Sequence, residues 1–342
     1  MVRSNGKPTL IEVAERAGVH FATASRALDP SKSHLVSPAT KEKVQEAALE
    51  LGYSANLAAR GLRTGQSKIV GFAVADVSNP FLAPILRGAE ATLDEEGFWV
   101  VIAETQDDPA KFRDVIDRLL ARNVDGLIIS SARFSDTDFV REVAQRIPVT
   151  LAIRDLGTRD FFSVTHDDVV GGELAANHLA DLGHKVLAEL RGPADISSFK
   201  GRSEGFRRVV KARGLTNVTL QRHTNLPTVE GGYEAAKKLL ERPNVPSALF
   251  AHNDLMAVGA LEAFAEQKLK CPQDISVVGY NDSPLTEKLE PSLTTVRLPG
   301  ARVGELAAKH LMTQMRDPGA EPVLDRLAPQ LVVRKSSRKP KQ

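Results

Sequence analysis

Residues 9–28 read TLIEVAERAGVHFATASRAL. Thr9 followed three residues later by Glu12 is a capping box, the pairing that satisfies the first free N–H groups of a helix. Leu10, Val13, Ala14 and Ala17 then recur at helical spacing. Gly18 supplies the left-handed backbone that ends such a helix. A second short helix follows from about Phe21 to Leu28, with Ala24, Ala27 and Leu28 as its apolar stripe. Two short helices across a glycine-containing turn form a helix-turn-helix, whose second helix enters the DNA major groove. On these residues alone, a helical hairpin capping some other domain fits equally well. A third helix is signalled by Ser37-Pro38, an N-cap serine with proline at the first helical position. Val44, Ala47, Ala48 and Leu51 form its buried stripe, and Gly52 ends it. Three helices of this size bury one small core.

Composition bounds the rest. A chain of 342 residues is too long for one core and predicts two or three units. Hydrophobic residues make up 42%, a globular content, and no apolar run reaches the ~20 residues of a membrane span. The opening residues MVRSNGKPT contain no apolar h-region, so they do not read as a secretory signal. The single cysteine, Cys271, excludes an internal disulfide framework. Both features predict a cytoplasmic protein. The 45 basic and 43 acidic residues leave a net charge of +2, so nucleic-acid binding has to come from a local patch. The first 63 residues hold such a modest excess, with Arg16, Arg26, Lys41 and Lys43 among its bases. The tail, with Arg334, Lys335, Arg338, Lys339 and Lys341 and no acid, reads as a solvated, disordered end.

From Lys68 the pattern changes to apolar runs alternating with helical stretches. IVGFAVA, FWVVIAE, DGLIISS, VTLAI, KVLAELRG, VTLQ, ALFAH and ISVVGY read as strands. Stretches such as Pro84–Glu96, Lys111–Arg122 and Gly201–Arg213 read as the intervening helices. Buried parallel strands alternating with helices give an α/β fold with right-handed crossovers. Ligands bind such sheets beyond the strands' C-terminal ends. Here those ends are polar: Asp76-Val-Ser-Asn79, Glu104-Thr-Gln, Ser130-Ser, Arg154-Asp155, His166-Asp167-Asp168, His252-Asn253-Asp254 and Asn281-Asp282-Ser283.

The segments VAERAGVHFATASRAL and VSPATKEKVQEAALELGYSANLAARGLRTGQSKIVGFAVADVSNPF resemble the LacI/GalR family of bacterial transcription regulators. The resemblance runs from about Thr9 to about Arg334, through several motifs in family order. It implies an α/β protein with an N-terminal three-helix helix-turn-helix head (residues 1–54) and a hinge helix and linker (55–66). A periplasmic-binding-protein-like core of two Rossmann-like lobes then spans 67–342. Lobe one is expected over about 67–164 and 292–328, and lobe two over about 165–291 and 329–342. In the head, the resemblance sets Phe21, Ala22 and Arg26 against base edges. Arg26 is the one able to grip guanine with two hydrogen bonds. Thr23 and Ser25 fall to phosphate oxygens, which position the head without specifying sequence. His20 departs from the serine or similar capping residue usual in the family. In the hinge, Leu62 matches the leucine wedge that unstacks the central operator step, and Arg63 follows it into the minor groove. Ala55 stands where proline is usual, and Gly61 lowers helicity by about 1 kcal/mol relative to alanine.

The cleft residues carry over in the same way. Arg202, in Arg202-Ser-Glu-Gly205-Phe206, matches the arginine that grips the effector, and Asn253 matches a ligand-facing asparagine. Asn281, in Gly279-Tyr-Asn281-Asp282, replaces a ligand-gripping aspartate. Phe81 is the expected aromatic wall of lobe one, and Asp167 is expected at the mouth of lobe two. The segment His223-Thr-Asn-Leu-Pro-Thr lacks the aromatic that sugar-responsive members often carry there. A sugar or sugar derivative is the expected effector, although Arg154 and Arg202 together equally suit a carboxylate or phosphate. The family further implies a homodimer or tetramer on a pseudo-palindromic DNA operator, with no cofactor, metal or membrane. A transport solute-binding protein shares the core fold but lacks the helix-turn-helix, and some members answer to a phosphorylated carrier protein. Catalysis is not expected: no G-x-S-x-G elbow, Walker loop, G-x-G-x-x-G or Cys/His metal spacing occurs.

Overall fold

The computed structural model describes residues 8–29, 32–53, 66–220 and 226–341. It divides into two compact units, Met1–Ser67 and Lys68–Gln342.

In the first unit, α1 (Leu10–Ala17), α2 (Phe21–Ala27) and α3 (Pro38–Leu51) enclose a core of Val13, Ala14, Ala24, Ala27, Val44, Ala47 and Ala48. The caps are those written in the sequence. Glu12 N donates to Thr9 Oγ1 at 3.3 Å while Thr9 N donates to Glu12 Oε2 at 2.7 Å. Gly18 and Gly52 end α1 and α3 at φ of 63° and 65°. His20 settles as the N-cap of α2, its Nδ1 accepting from Ala22 N at 3.2 Å.

The second unit holds two six-stranded sheets. The first runs β11 (Leu324–Leu327), β5 (Phe162–His166), β4 (Val149–Ile153), β3 (Gly126–Ile129), β1 (Ile69–Val74), β2 (Trp99–Glu104), all parallel. The second runs β12 (Gln330–Val332), β10 (Thr294–Arg297), β9 (Ser276–Asn281), β8 (Ala248–Ala251), β6 (Val186–Leu190), β7 (Thr216–Asn217). Only β12 is antiparallel to its neighbour. The helices are α4 (Leu82–Asp94), α5 (Pro109–Leu120), α6 (Thr137–Ala144), α7 (Asp168–Asp181), α8 (Ser197–Ala212), α9 (Val229–Leu240), α10 (Asp254–Glu266) and α11 (Gly300–Arg316). Strand interiors such as Val70, Phe72, Leu127, Ile128, Val277 and Val278 are buried, as strands covered on both faces require.

The chain crosses between sheets after His166, after Arg297 and after Leu327. The second crossing falls later than the expected residue 292, because β10 first pairs parallel with β9, from Thr294↔Val278 to Arg297↔Asn281. Two further expectations change. The VTLQ run forms no strand over 218–220; the edge strand is the preceding Thr216–Asn217. The basic tail is not a loose end. Ser336 is fully buried, accepting from Thr294 N at 2.7 Å and donating to Val277 O at 2.7 Å. Arg334 pairs with Asp282 at 2.7 Å, and Lys341 with Asp274 at 2.8 Å.

Candidate functional site

The C-terminal strand ends of both sheets face a cleft of about 340 Å³. Lobe one contributes Asp76, Asn79, Phe81, Glu104, Gln106, Asp107, Ser130 and Arg154, and lobe two contributes Phe199, Arg202, Thr228, Asn253 and Asn281. Of the six cleft residues read from the sequence, five line it. Asp167 does not. It sits one position before α7, where its Oδ1 accepts from Val170 N at 3.1 Å and caps the helix. The lining residues that sequence reasoning left out include Asp107 and Phe199, whereas Glu104 is one of the polar strand ends it named. Phe199 lies three positions before Arg202 on α8, a helical spacing that puts both on one face.

Both arginines arrive with a carboxylate of their own. Arg202 is 3% exposed; its Nε donates to Asp168 at 2.9 Å, and Nη1 donates to the His252 carbonyl. Its guanidinium lies 3.9 Å from the centre of the Tyr280 ring, a cation–π contact. Tyr280 Oη also donates to Asp168, at 3.0 Å. Arg154 donates from Nη1 to Asp107 at 2.8 Å and to the Ser131 carbonyl at 3.2 Å, with Nη2 to the other Asp107 oxygen at 3.3 Å. Burial of Asp107 opposes its ionisation, but Arg154 and Arg133 outweigh this and hold its carboxyl below the usual range.

The asparagines differ in what they leave free. Asn253 caps α10 through Oδ1, which accepts from Met256 N at 2.8 Å, and donates from Nδ2 to the Pro227 carbonyl at 2.8 Å. Asn281 Oδ1 is buried and has no hydrogen-bond partner among the described residues. Backbone strain gathers in the same place. Gln106, Asp107, Ile153 and Asn281 line the cleft with φ of 53°, 54°, 68° and 112°, a region that side chains other than glycine rarely adopt.

In the head, α2 buries Ala24 and Ala27 and turns Phe21, which is 50% exposed, and Arg26 outward. Ala22, Thr23 and Ser25 are half-buried between these faces. Leu62 and Arg63 lie outside the described residues.

The profile of bacterial regulatory proteins of the lacI family matches residues 9–56, and that of the periplasmic binding protein-like domain matches residues 176–337. The ribose operon repressor of Escherichia coli (strain K12) is 33% identical over 96% of this chain and 99% of its own. The chain belongs to the LacI family. Among solved structures, the Lac repressor dimer bound to operator and the anti-inducer ONPF matches with a TM-score of 0.86, 28% identity and coverage of 97% of this chain and 100% of that one. A LacI family regulator from Enterococcus faecium with bound ribose matches with a TM-score of 0.71 and 27% identity, covering 80% and 100%. LacI-family membership makes the protein a DNA-binding transcriptional regulator, with a helical head for DNA and an effector-binding core. No helix among the described residues is long and apolar enough to cross a membrane.

Proposed function

We propose that this chain is a cytoplasmic repressor, not an enzyme, that binds a pseudo-palindromic operator as a dimer and releases or holds it according to an uncharged polyhydroxy effector in the cleft. Residues 1–54 act as the head, 55–66 as the hinge and 67–342 as the core. Phe21, Ala22 and Arg26 read base edges, Thr23 and Ser25 hold phosphates, and Leu62 with Arg63 enters the minor groove at the operator centre. In the cleft, Phe81, Arg154, Arg202, Asn253 and Asn281 hold the effector.

The observation that carries the effector class is the charge of the lining. Arg202 is paired with Asp168 and Arg154 with Asp107, while Asp76 and Glu104 add two carboxylates with no ion-pair partner among the described residues. A carboxylate or phosphate entering this cleft meets like charge, whereas sugar hydroxyls donate to acids and to the free Asn281 acceptor. Phe81 and Phe199 supply apolar faces for a ring. A ribose operon repressor and a ribose-bound regulator among the relatives agree with this class. The dimer is supported by β2, an edge strand whose Trp99, Val101 and Ile102 are exposed at 73%, 37% and 47%. An apolar edge with unpaired backbone groups is a surface a second copy covers.

A thermal-shift screen of pentoses, hexoses and their phosphates tests the effector class. A neutral sugar should raise the melting temperature by mass action through the cleft, a rise that Asn281→Gly diminishes, whereas any rise given by its phosphate should be undiminished in that variant. Stabilisation by the phosphorylated forms alone would overturn the assignment.

A further inference from the structure

Lobe two carries a second cavity, of about 390 Å³, where β6 ends beside the edge strand β7. Glu189, Arg191, Arg207, Asn217 and Thr219 line it. The Glu189 side chain is wholly buried and engaged through both oxygens: Oε1 accepts from Ser203 Oγ at 2.9 Å and Arg207 Nε at 3.1 Å, and Oε2 from His252 Nε2 at 3.0 Å. His252 Nδ1 accepts from Gly192 N at 3.4 Å, so the ring proton sits on Nε2 and the imidazole is neutral. Burial also drives the His252 pKa down. For Glu189, burial favours the protonated acid, but the bonds from His252, Arg207 and Ser203 prevail and keep it ionised. One carboxylate therefore faces two guanidinium groups.

The side chains around it offer further donors. Arg191 gives Nη2 to the Leu220 carbonyl, but its Nε is buried with no partner among the described residues. Thr219 Oγ1 accepts from Glu189 N, leaving its own O–H to give, and Asn217 Oδ1 accepts from Thr219 N, leaving its amide NH₂. Burial bears most against the charge of Arg191; the Glu189 carboxylate favours that charge, the like charge of Arg207 opposes it, and burial prevails. A half-buried cation that shares one carboxylate with a second cation, and keeps a buried N–H without a partner among the described residues, is stabilised when a further anion joins them.

We propose that this cavity binds a small oxyanion, a phosphate or sulfate group, between Arg191 and Arg207, with Thr219 and Asn217 as further donors. The site is separate from the effector cleft and independent of the effector's identity. Charge-assisted bonds to a guanidinium fork fit the tetrahedral oxygens of such a group.

The test is thermal unfolding of the full chain as inorganic phosphate replaces chloride at fixed ionic strength, with a sugar phosphate in a parallel series. Arg191→Gln is the informative variant, because it leaves every bond to Glu189 in place and should unfold near the wild-type temperature without phosphate. The wild type should show a saturable rise in melting temperature, and Arg191→Gln should bind roughly tenfold or more weakly. A sugar phosphate binding more tightly than phosphate, with both lost in Arg191→Gln, identifies a phosphorylated metabolite as the source. Equal binding identifies the free ion. No saturable rise in the wild type, or a rise undiminished in Arg191→Gln, overturns the proposal.

Discussion

Asn281 joins two local costs, a buried acceptor without a partner among the described residues and a φ of 112°. Both are relieved by Asn281→Gly, since glycine accepts positive φ freely and the unsatisfied oxygen leaves. Its melting temperature should equal or exceed that of the wild type, while effector affinity measured by calorimetry falls about tenfold. A variant that loses stability and keeps its affinity would remove Asn281 from the site. Arg202→Ala is a poorer probe, because it strands the buried Asp168 carboxylate and costs several kcal/mol of folding. His166 gives a pH signature. Burial, aided by the charge of Arg202, pushes its pKa down from 6.5 to about 3. The unfolded chain takes up that proton near pH 6.5 and the folded chain only near 3. Stability is therefore whole above pH 6.5 and falls below it, by about 1.4 kcal/mol per unit. Asp254, pushed up to about 6 by burial, acts the other way: its folded form keeps the proton, so stability rises as pH falls from about 6 to 3.8. Comparing wild type with His166→Gln isolates the histidine. Between pH 7 and 5 the wild type should lose about 2 kcal/mol more in urea unfolding. Equal losses would contradict a buried neutral ring.

Three helix pairs in the core meet through reciprocal glycines: α4 with α11 at Gly88 and Gly304, α7 with α8 at Gly172 and Gly205, and α9 with α10 at Gly232 and Gly259. A Cβ on Gly205 would stand 1.9 Å from the Val169 carbonyl, and one on Gly172 would stand 2.1 Å from that of Arg202. The α7–α8 crossing is thus what seats Arg202 against Asp168, the first residue of α7. Gly205→Ala should destabilise the core by more than about 3 kcal/mol, read as a fall in the denaturation midpoint, because backbone rather than a movable side chain opposes it. A midpoint within error of wild type would show that the helices separate at little cost. Elements whose signals are local were legible in the chain: the Thr9/Glu12 and Ser37-Pro38 caps, and apolar strands such as IVGFAVA. The cleft was legible where strand ends are polar. What escaped depends on partners remote in sequence. Asp107 enters the cleft because Arg154, 47 residues on, draws it there. Ser336 is held by backbone groups of Thr294 and Val277, which no periodicity in a basic tail announces. Asp167 is the converse case, where a local cap outweighed the reading as a cleft residue.

At the scale of the whole core, a chain of contacts joins the lobes beside the cleft. Arg133 of lobe one reaches Asp195 of lobe two at 2.7 Å and also donates to the Asp107 carbonyl, while Phe134 N donates to the Asp195 carbonyl and Asp155 N to Ser197 Oγ. These contacts belong to lobes held together, so Asp195→Ala should populate a more open core and weaken the effector severalfold in calorimetry. Unchanged affinity would mean that the bridge carries no closure energy. Charging the β2 edge with Ile102→Lys should shift the sedimentation equilibrium toward monomer; an unchanged equilibrium would place the dimer interface elsewhere. The most direct measurement is the coupling between effector and operator. An operator selected from random duplexes is titrated at fixed salt with and without the sugar that stabilises the protein, and the sugar is titrated with and without operator. A regulator of this kind shifts operator affinity by about fivefold or more, and operator must shift sugar affinity by the same factor. Operator affinity identical with and without bound sugar would contradict the regulation by this cleft.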